Sequence, residues 1–214
     1  RSTGSAGDIE VTVGRLVIEN GASIFTSTLD KGNAGRLTVR ADSVDISGTS
    51  PDGQYPSSLR SDANLNAAPS ANFSPGTANV LGSAGDLTLQ TGALIVRDAA
   101  EITVSRSVQG LSAGNWNIQA DTVLLDNRAV LEAKPSTGTG GNITIDAQAI
   151  QLRNQSLLTT DASGDSTGGN ITLNTQTLAA LENSDITANA QTGFGGSVTL
   201  NAQGIFGTAF RPAP

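Results

Sequence analysis

The sequence predicts an all-β protein, a right-handed three-sided parallel β-helix of about seven coils of 27–29 residues. Three observations lead to this fold class. A unit of three short apolar bursts recurs along the chain, each burst alternates apolar and polar residues, and small or turn-forming residues separate the bursts. A unit of this kind cannot bury its apolar side chains alone, so successive units should stack with their strands parallel. The crossover rule for parallel strands predicts the right-handed sense.

A glycine followed by a turn-forming residue opens most units and defines the period. The anchors are Gly7, Gly35, Gly85, Gly114, Gly141, Gly169 and Gly196, at intervals of 28, 50, 29, 27, 28 and 27 residues. A leucine-rich repeat is the main structural competitor, but it requires a helical segment and an L-x-x-L-x-L frame in each unit. Neither is visible in these units, so we expect the β-helix.

The first burst of every unit alternates strictly, as in Ile143 and Ile145 or Ile171 and Leu173. The second burst begins seven residues later in all seven units, as from Ile143 to Ile150. The third begins eight residues after the second in most units, as from Ile150 to Leu158. Fixed offsets of this kind predict strands in constant register.

Two corner positions follow the second burst. The first holds residues that tolerate left-handed or side-chain-bonded turns, namely Asn20, Gly48, Asp98, Asn127, Asn154 and Glu182. Two residues later only Ala or Ser occurs, namely Ala22, Ser50, Ala100, Ala129, Ser156 and Ser184. We expect tight corners that exclude large side chains.

The second coil is irregular. Its interval from Val44 to Leu59 is fifteen residues, and the interval from Leu59 to Leu87 is 28. We therefore predict two loop insertions, near 51–57 and 64–82, with Ser58 to Asp62 kept in the column as the third strand. The whole of 1–214 is interpreted as a single β-helix segment excised from a longer repeat protein.

Composition excludes several classes of function. The chain has no Cys and no His, so disulfides, zinc fingers and histidine-based catalysis are excluded. Its formal net charge is −7, without the basic stripe that nucleic acid requires, so we expect no nucleic-acid partner. Its apolar runs are too short for a transmembrane helix, and we expect no transmembrane segment.

Parallel β-helices also carry polysaccharide lyases and hydrolases, but the outward positions of the first burst hold no carboxylate pair at glycosidase separation. Asp161 and Asp165 form the densest acidic loop, which offers too few oxygen ligands for calcium. The row Thr144, Thr172 and Thr199 lacks the second threonine row of an ice-binding face. We therefore predict no enzyme, no catalytic residue, no metal and no cofactor.

The outer face of the second burst is the most apolar exposed surface. Its outward residues Val17, Ile95, Leu124 and Phe206 are candidates for surface contact, although an insertion lying over them is an alternative. Arg97, Asp126 and Arg153 share an outward column, which predicts a charge ladder between coils.

The repeat words resemble a known family. The units "GGNITI", "AGDLTL" and "GGNITL", with second strands such as "LIVRDAAEI" and "IQLRNQSLL", resemble the repeats of filamentous haemagglutinin-like exoproteins. The insertion "GTSPDGQYPSSL", with "ENSDITANA" and "AQGIFG", resembles the cyanobacterial members in particular. The resemblance implies a passenger of two-partner secretion, exported by a dedicated outer-membrane transporter and secreted or displayed at the cell surface.

These observations favour a non-catalytic structural or adhesion segment, with a surface glycan or a protein as its ligand. Two alternatives stay open. One is a carbohydrate-active enzyme, and the other is a carbohydrate-binding module that uses the polar strand faces.

Overall fold

The structure is a computed structural model that describes residues 4–28, 32–63, 82–106, 113–134, 141–162 and 167–207. These residues are all-β and contain no helix. Thirteen strands follow one another: β1 Ile9–Glu19, β2 Ser23–Thr28, β3 Leu37–Ser47, β4 Ser58–Ala63, β5 Leu87–Arg97, β6 Glu101–Arg106, β7 Trp116–Asp126, β8 Val130–Lys134, β9 Ile143–Leu152, β10 Leu157–Thr159, β11 Ile171–Ala180, β12 Asp185–Thr187 and β13 Val198–Phe206.

The strands form two parallel sheets that wind into a β-solenoid. The first sheet has seven strands in the order β1-β3-β5-β7-β9-β11-β13, and the second has six in the order β12-β10-β8-β6-β4-β2. The described chain therefore completes about six turns, and its seventh coil contributes β13 alone. The parallel β-helix predicted from the repeat is confirmed.

The predicted register is confirmed at every burst. Ile143 pairs with Trp116 on one side and with Ile171 on the other, and Ile150 pairs with Val123 and Leu178. The third bursts pair in the same way across the second sheet, through the irregular coil as well. A register fixed by sequence offset is expected when each strand must bury the same face.

The separation of the first two bursts into two strands needs a correction. They run as one continuous strand, interrupted in the pairing at a single position such as Gly92, between Thr91 and Ala93. In β5 both Leu89 and Leu94 are fully buried, although they are five positions apart, an odd offset. A flat strand would point them to opposite faces, so the strand must turn a corner between them. The column keeps three faces, but only two of its three corners interrupt the hydrogen-bonded strands.

The core is a stack of inward rows that runs the length of the column. Leu37, Leu87, Ile143 and Ile171 have no exposed surface, and Trp116 in the same row is 2% exposed. Because neighbouring strands lie about 4.8 Å apart, each inward residue packs on its equivalents above and below. The core is therefore narrow and repeats once per coil.

The corner after the second burst has the predicted left-handed backbone. The six predicted positions all have positive φ: Asn20 59°, Gly48 73°, Asp98 59°, Asn127 50°, Asn154 52° and Glu182 56°. In five coils the next residue is left-handed too, as in Gln155 at 63°. Asn and Asp tolerate this conformation because their short polar side chains form local hydrogen bonds.

Four of the seven glycine anchors, Gly35, Gly85, Gly114 and Gly196, are required by the close approach of successive coils. A Cβ atom at Gly114 would lie 2.6 Å from the carbonyl carbon of Gly85, and Gly85 and Gly35 stand in the same relation. After five of the anchors, the turn residue carries a side-chain oxygen that accepts a backbone N–H of the next coil: Asp8, Asp86, Asn115, Asn142 and Asn170. Asn142 accepts from Asn170 at 2.9 Å in this way. The recurring Gly-Asn word therefore encodes the spacing of the coils.

The irregular coil keeps its third strand, as predicted, since β4 pairs with both β2 and β6. The first insertion forms an exposed turn closed by an antiparallel bridge between Thr49 and Pro56. One detail differs from the prediction. Ser57, which is fully buried and donates its N–H to the carbonyl of Gly48, occupies the small-residue corner instead of Ser50. Of the second predicted insertion, 64–81 lies outside the described residues.

Candidate functional site

The four candidate contact residues lie in one outward column of the first sheet. Val17, Ile95, Leu124 and Phe206 share this column with three intervening residues: Asp45, Gln151 and Ala179. Ile95 and Leu124 are direct neighbours and are half-buried, whereas Val17 is 44% exposed and Phe206 is 57% exposed. Val17 and Phe206 lie on the two edge strands, about 29 Å apart at six strand spacings. The structure therefore brings together only the central pair.

A charged group interrupts this column. Arg97 donates to both carboxylate oxygens of Asp45 at 3.3 Å and to Asp98 at 2.9 Å. The hydrogen bonds to Asp45 also raise the pKa of Arg97, which stays charged at any physiological pH. The apolar part of the column at its centre is limited to the half-buried Ile95 and Leu124, with Asp45 on one side and Gln151 on the other.

The predicted ladder of Arg97, Asp126 and Arg153 needs a correction. Arg97 and Asp126 do pair in adjacent strands. Their side chains bond elsewhere, however, since Asp126 accepts from Asn154 at 2.7 Å and Arg153 binds Glu182 at 3.1 Å. Asp126 and Arg153 therefore form their hydrogen bonds with corner residues at diagonal positions, and not with the residue directly opposite on the next coil.

In the first sheet, the first half of each strand, which corresponds to the first burst, presents a polar outer face. Thr144, Thr172 and Thr199 form the expected row, beside a row of long polar residues. Members of the second row bond along the column axis: Arg40 to Glu10 and Gln90, Gln90 to Gln119, Asn174 to Asp146, and Asn201 to Asn174. These side chains satisfy one another, which suits a solvated face that stiffens the column.

The outer face of the second sheet carries a charged cluster that the sequence reasoning missed. Arg60 lies over the ring of Phe25 at 5.6 Å and 3.4 Å from the carboxylate of Asp62. Glu101 and Glu132 extend the cluster along the next two strands. The side chains of Arg60 and Asp62 are only 17% and 4% exposed. Charges this well buried are rare unless they are paired.

Burial raises the pKa of Glu101. Arg60 lowers that pKa by its positive charge, and the nearby carboxylate of Glu132 raises it again. A carboxyl group of raised pKa beside a second carboxylate is the arrangement that acid catalysts use. The signal in the sequence is the eight-residue offset of the third burst, which places Arg60, Glu101 and Glu132 on one outward face.

The left-handed corner forms a shallow groove of about 480 Å³. Its lining residues are Asn127, Arg128, Asn154, Gln155, Glu182 and Asn183. Backbone N–H groups at this corner already donate hydrogen bonds to the next coil. The N–H of Arg128, for example, donates to the carbonyl of Asn154 at 2.9 Å. The groove therefore offers side-chain amides and charges but few free backbone donors.

The acidic loop is described only in part. Asp161 accepts the backbone N–H of Asn189 at 2.7 Å, which gives it a structural role at a corner. Asp165 lies outside the described residues. Within the described part of the chain, no three residues of the metal-binding types cluster together.

The part of the chain that the structure describes contains no helix that is long and apolar enough to span a membrane. Comparisons of the chain with family models, with curated proteins and with solved structures found no match.

Proposed function

We propose that this chain is a non-catalytic structural or adhesion segment of a secreted or surface-displayed filamentous haemagglutinin-like exoprotein. The observation that carries the proposal is the unbroken stack of coils. Seven strands of the first sheet continue in one register, with no strand left out at the irregular coil. A column of this kind is a stiff spacer whose length depends on the number of its repeats.

The repeated residues serve the column rather than a pocket. The inward rows fill the core, the anchor glycines set the spacing, and the Asn side chains bridge the coils. Many outward residues differ from coil to coil, as in the column of Val17, Asp45 and Ile95, so the surface varies without loss of the fold. This division is typical of extended scaffolds that present contacts along their length.

The proposed partners are those that the repeat words imply. An outer-membrane transporter of two-partner secretion would export the parent protein, and a surface glycan or a protein would be the ligand. The polar outer face of the first sheet and the central pair Ile95 and Leu124 are the surfaces offered for contact.

The test measures binding and turnover on the same sample. The purified segment is applied to a glycan array and to bacterial surfaces, and is incubated with a panel of polysaccharides while reducing ends are measured. The adhesion proposal expects binding without chain cleavage. Cleavage that copurifies with the segment through two chromatography steps would overturn it.

One observation favours the second candidate, a carbohydrate-active enzyme. Glu101 has a raised pKa and lies close enough to Glu132 to feel its charge. Glycoside hydrolysis uses two carboxyl groups, one of which has a pKa raised by its surroundings. If cleavage occurs, Glu101→Gln and Glu132→Gln should each abolish it. Glu19→Gln, on the first sheet, is the matched control and should leave the rate unchanged.

A further inference from the structure

The left-handed corner carries a row of polar side chains on its outer surface. Arg128, Gln155 and Asn183 occupy the second position of this corner in the fourth, fifth and sixth coils. Backbone bonds hold the row in register, since the N–H of Gln155 donates to the carbonyl of Glu182 at 2.9 Å. Within the described part of the chain, the three side chains form no hydrogen bond or ion pair, and all three residues are exposed. Their polar groups are therefore available to a ligand.

The wall of the groove beside this row is already fixed. The side-chain amide of Asn127 donates to Asp98 at 2.8 Å, and that of Asn154 donates to Asp126 at 2.7 Å. These bonds run from coil to coil, so the wall does not have to be ordered when a ligand binds. A preorganised surface of this kind lowers the entropic cost of binding.

The first insertion lies at the same corner. The strand pairs on either side of it place residues 49–56 opposite Ala99, the member of the row in the third coil. The N–H of Ser50 donates to the carbonyl of Tyr55 at 2.7 Å, and the N–H of Tyr55 donates to the hydroxyl of Ser50 at 3.0 Å. Tyr55 is 47% exposed. At one end the row therefore adjoins an ordered insertion with an exposed aromatic side chain.

The dimensions of the row suit an extended chain of sugars. Neighbouring coils lie about 4.8 Å apart, which is comparable with the length of one sugar unit. From Asn183 to the insertion there are four such spacings, about 19 Å in all. The row thus presents one residue for each sugar of a chain that lies parallel to the column axis.

The charge at the corner favours an acidic sugar. Arg97 is paired with Asp45. Arg153 is paired with Glu182, which leaves Arg128 to bind a carboxylate from outside. A guanidinium group binds a carboxylate through two parallel hydrogen bonds. Although the whole chain has a net charge of −7, the corner is neutral, with three arginines and three carboxylates in 97–100, 126–129, 153–156 and 181–184.

The lining of the groove fits a protein or a nucleic acid less well. Its six lining residues include no apolar side chain, whereas protein partners bind mainly through aromatic and apolar anchors. A nucleic acid requires several cations along its phosphates, and Arg128 alone supplies one. Amides beside a single guanidinium group match hydroxyls beside a single carboxylate.

We propose that this corner binds an acidic polysaccharide whose chain lies along the column. A uronate carboxylate binds Arg128, the hydroxyls of neighbouring sugars bind Gln155 and Asn183, and the end of the chain lies against the insertion. The proposal goes beyond the proposed function, because it assigns a ligand to a corner of the column and not to the faces of the first sheet. It can fail while adhesion through those faces holds.

The test measures the affinity of the whole chain for uronic-acid oligosaccharides by calorimetry. Oligomers of glucuronic, galacturonic and mannuronic acid of increasing length are compared with their carboxyl-reduced forms, which keep the linkage and lose the charge. At least one acidic oligomer should bind, and its reduced form should bind about fivefold more weakly. Affinity should rise with length and level off at about four or five units, the length of the row.

Three variants locate the site. Arg128→Gln should weaken binding about fivefold. Gln155→Glu places a repelling carboxylate beside Arg128 and should weaken binding at least as much; Glu182 shows that glutamate is accepted in left-handed backbone at this corner. Arg36→Gln is the matched control, because it removes an exposed arginine outside the groove and should leave the affinity unchanged. Circular dichroism melts confirm that each variant keeps the fold.

Three results would overturn the proposal. One is that no acidic oligomer binds at about 1 mM. Another is that the carboxyl-reduced oligomers bind equally well. The third is that Arg128→Gln and Arg36→Gln have the same effect. Binding to bacterial surfaces that survives in Arg128→Gln, together with any of these results, would leave the proposed adhesion function standing without a site at this corner.

Discussion

Substitution of Gly114 by alanine tests the spacing of the coils most directly. The new Cβ atom would lie 2.6 Å from the carbonyl carbon of Gly85 and closer still to its oxygen, whereas real Cβ atoms essentially never approach another atom under 3.0 Å. Neither group can move alone, because ladder bonds hold both coils. The N–H of Leu87 donates to Asn115 at 2.9 Å, and that of Trp116 donates to Asn142 at 2.8 Å.

The expected loss in the free energy of unfolding follows from this lack of freedom. Inserting a carbon atom into a well-packed site usually costs about 1–3 kcal/mol. The clash here is with backbone on both sides, so we expect the upper end, about 3 kcal/mol of unfolding free energy. In a chain of this size each kcal/mol lowers the melting temperature by about 2–4 °C, which gives a decrease of about 6–12 °C.

The assay is thermal unfolding followed by the fluorescence of Trp116, the one tryptophan in the sequence, which is 2% exposed in the core two residues from the substitution. Gly14→Ala is the matched control, because its Cβ atom would meet only a carboxylate oxygen of Asp42 at an ordinary 3.5 Å. We expect the control to stay within about 1 kcal/mol of wild type. Equal melting of the two variants would refute the proposed reason for the glycine anchors.

Three further predictions concern the core, a corner and the charged cluster. Ile143→Asp buries a carboxylate at a site with no exposed surface and should cost about 4 kcal/mol or more, whereas Thr144→Asp on the outer face should cost about 0.5 kcal/mol; equal denaturation midpoints would contradict the register. Asn170→Ala removes the oxygen that accepts the N–H and hydroxyl of Ser197 at 2.9 Å, so hydrogen exchange at the Ser197 amide should accelerate and stability should fall by about 1 kcal/mol; unchanged protection would oppose it. Burial raises the pKa of Glu101 in the folded chain, so the folded state binds more protons than the unfolded state just above pH 4.5, and stability should fall as pH rises through that window. Glu101→Gln should remove this loss, and parallel stability profiles for the two proteins would show that Glu101 does not titrate with a raised pKa.

Several features of the fold could be predicted because they repeat at a fixed offset. The spacing from Ile143 to Ile150 and Leu158 recurs in most coils, and a strand that buries one face can adopt only one register. The same regularity located β4 within the irregular coil. The left-handed corners could be predicted too, because residues such as Asn127 and Asn154 carry that conformational preference in their own side chains.

The errors arose where a residue had more than one possible partner. Ser50 and Ser57 both satisfied the small-residue rule, and only the closing of the loop against Gly48 decided in favour of Ser57. The charge column likewise offered Arg97 two carboxylates on neighbouring strands. Its side chain reached Asp45 and the adjacent Asp98 rather than Asp126.

The parallel stack, its register and the positions of its corners can be read from local sequence patterns alone. These depend on the alternation of apolar residues and on local backbone preference, both of which are properties of short segments. Tertiary contacts were needed to show that the first two bursts form one bent strand, that Glu101 is buried beside Arg60 and Glu132, and that a Cβ atom at Gly114 would clash with Gly85. Each of these depends on distances between coils, since burial and steric contact are set by neighbours that no local pattern specifies.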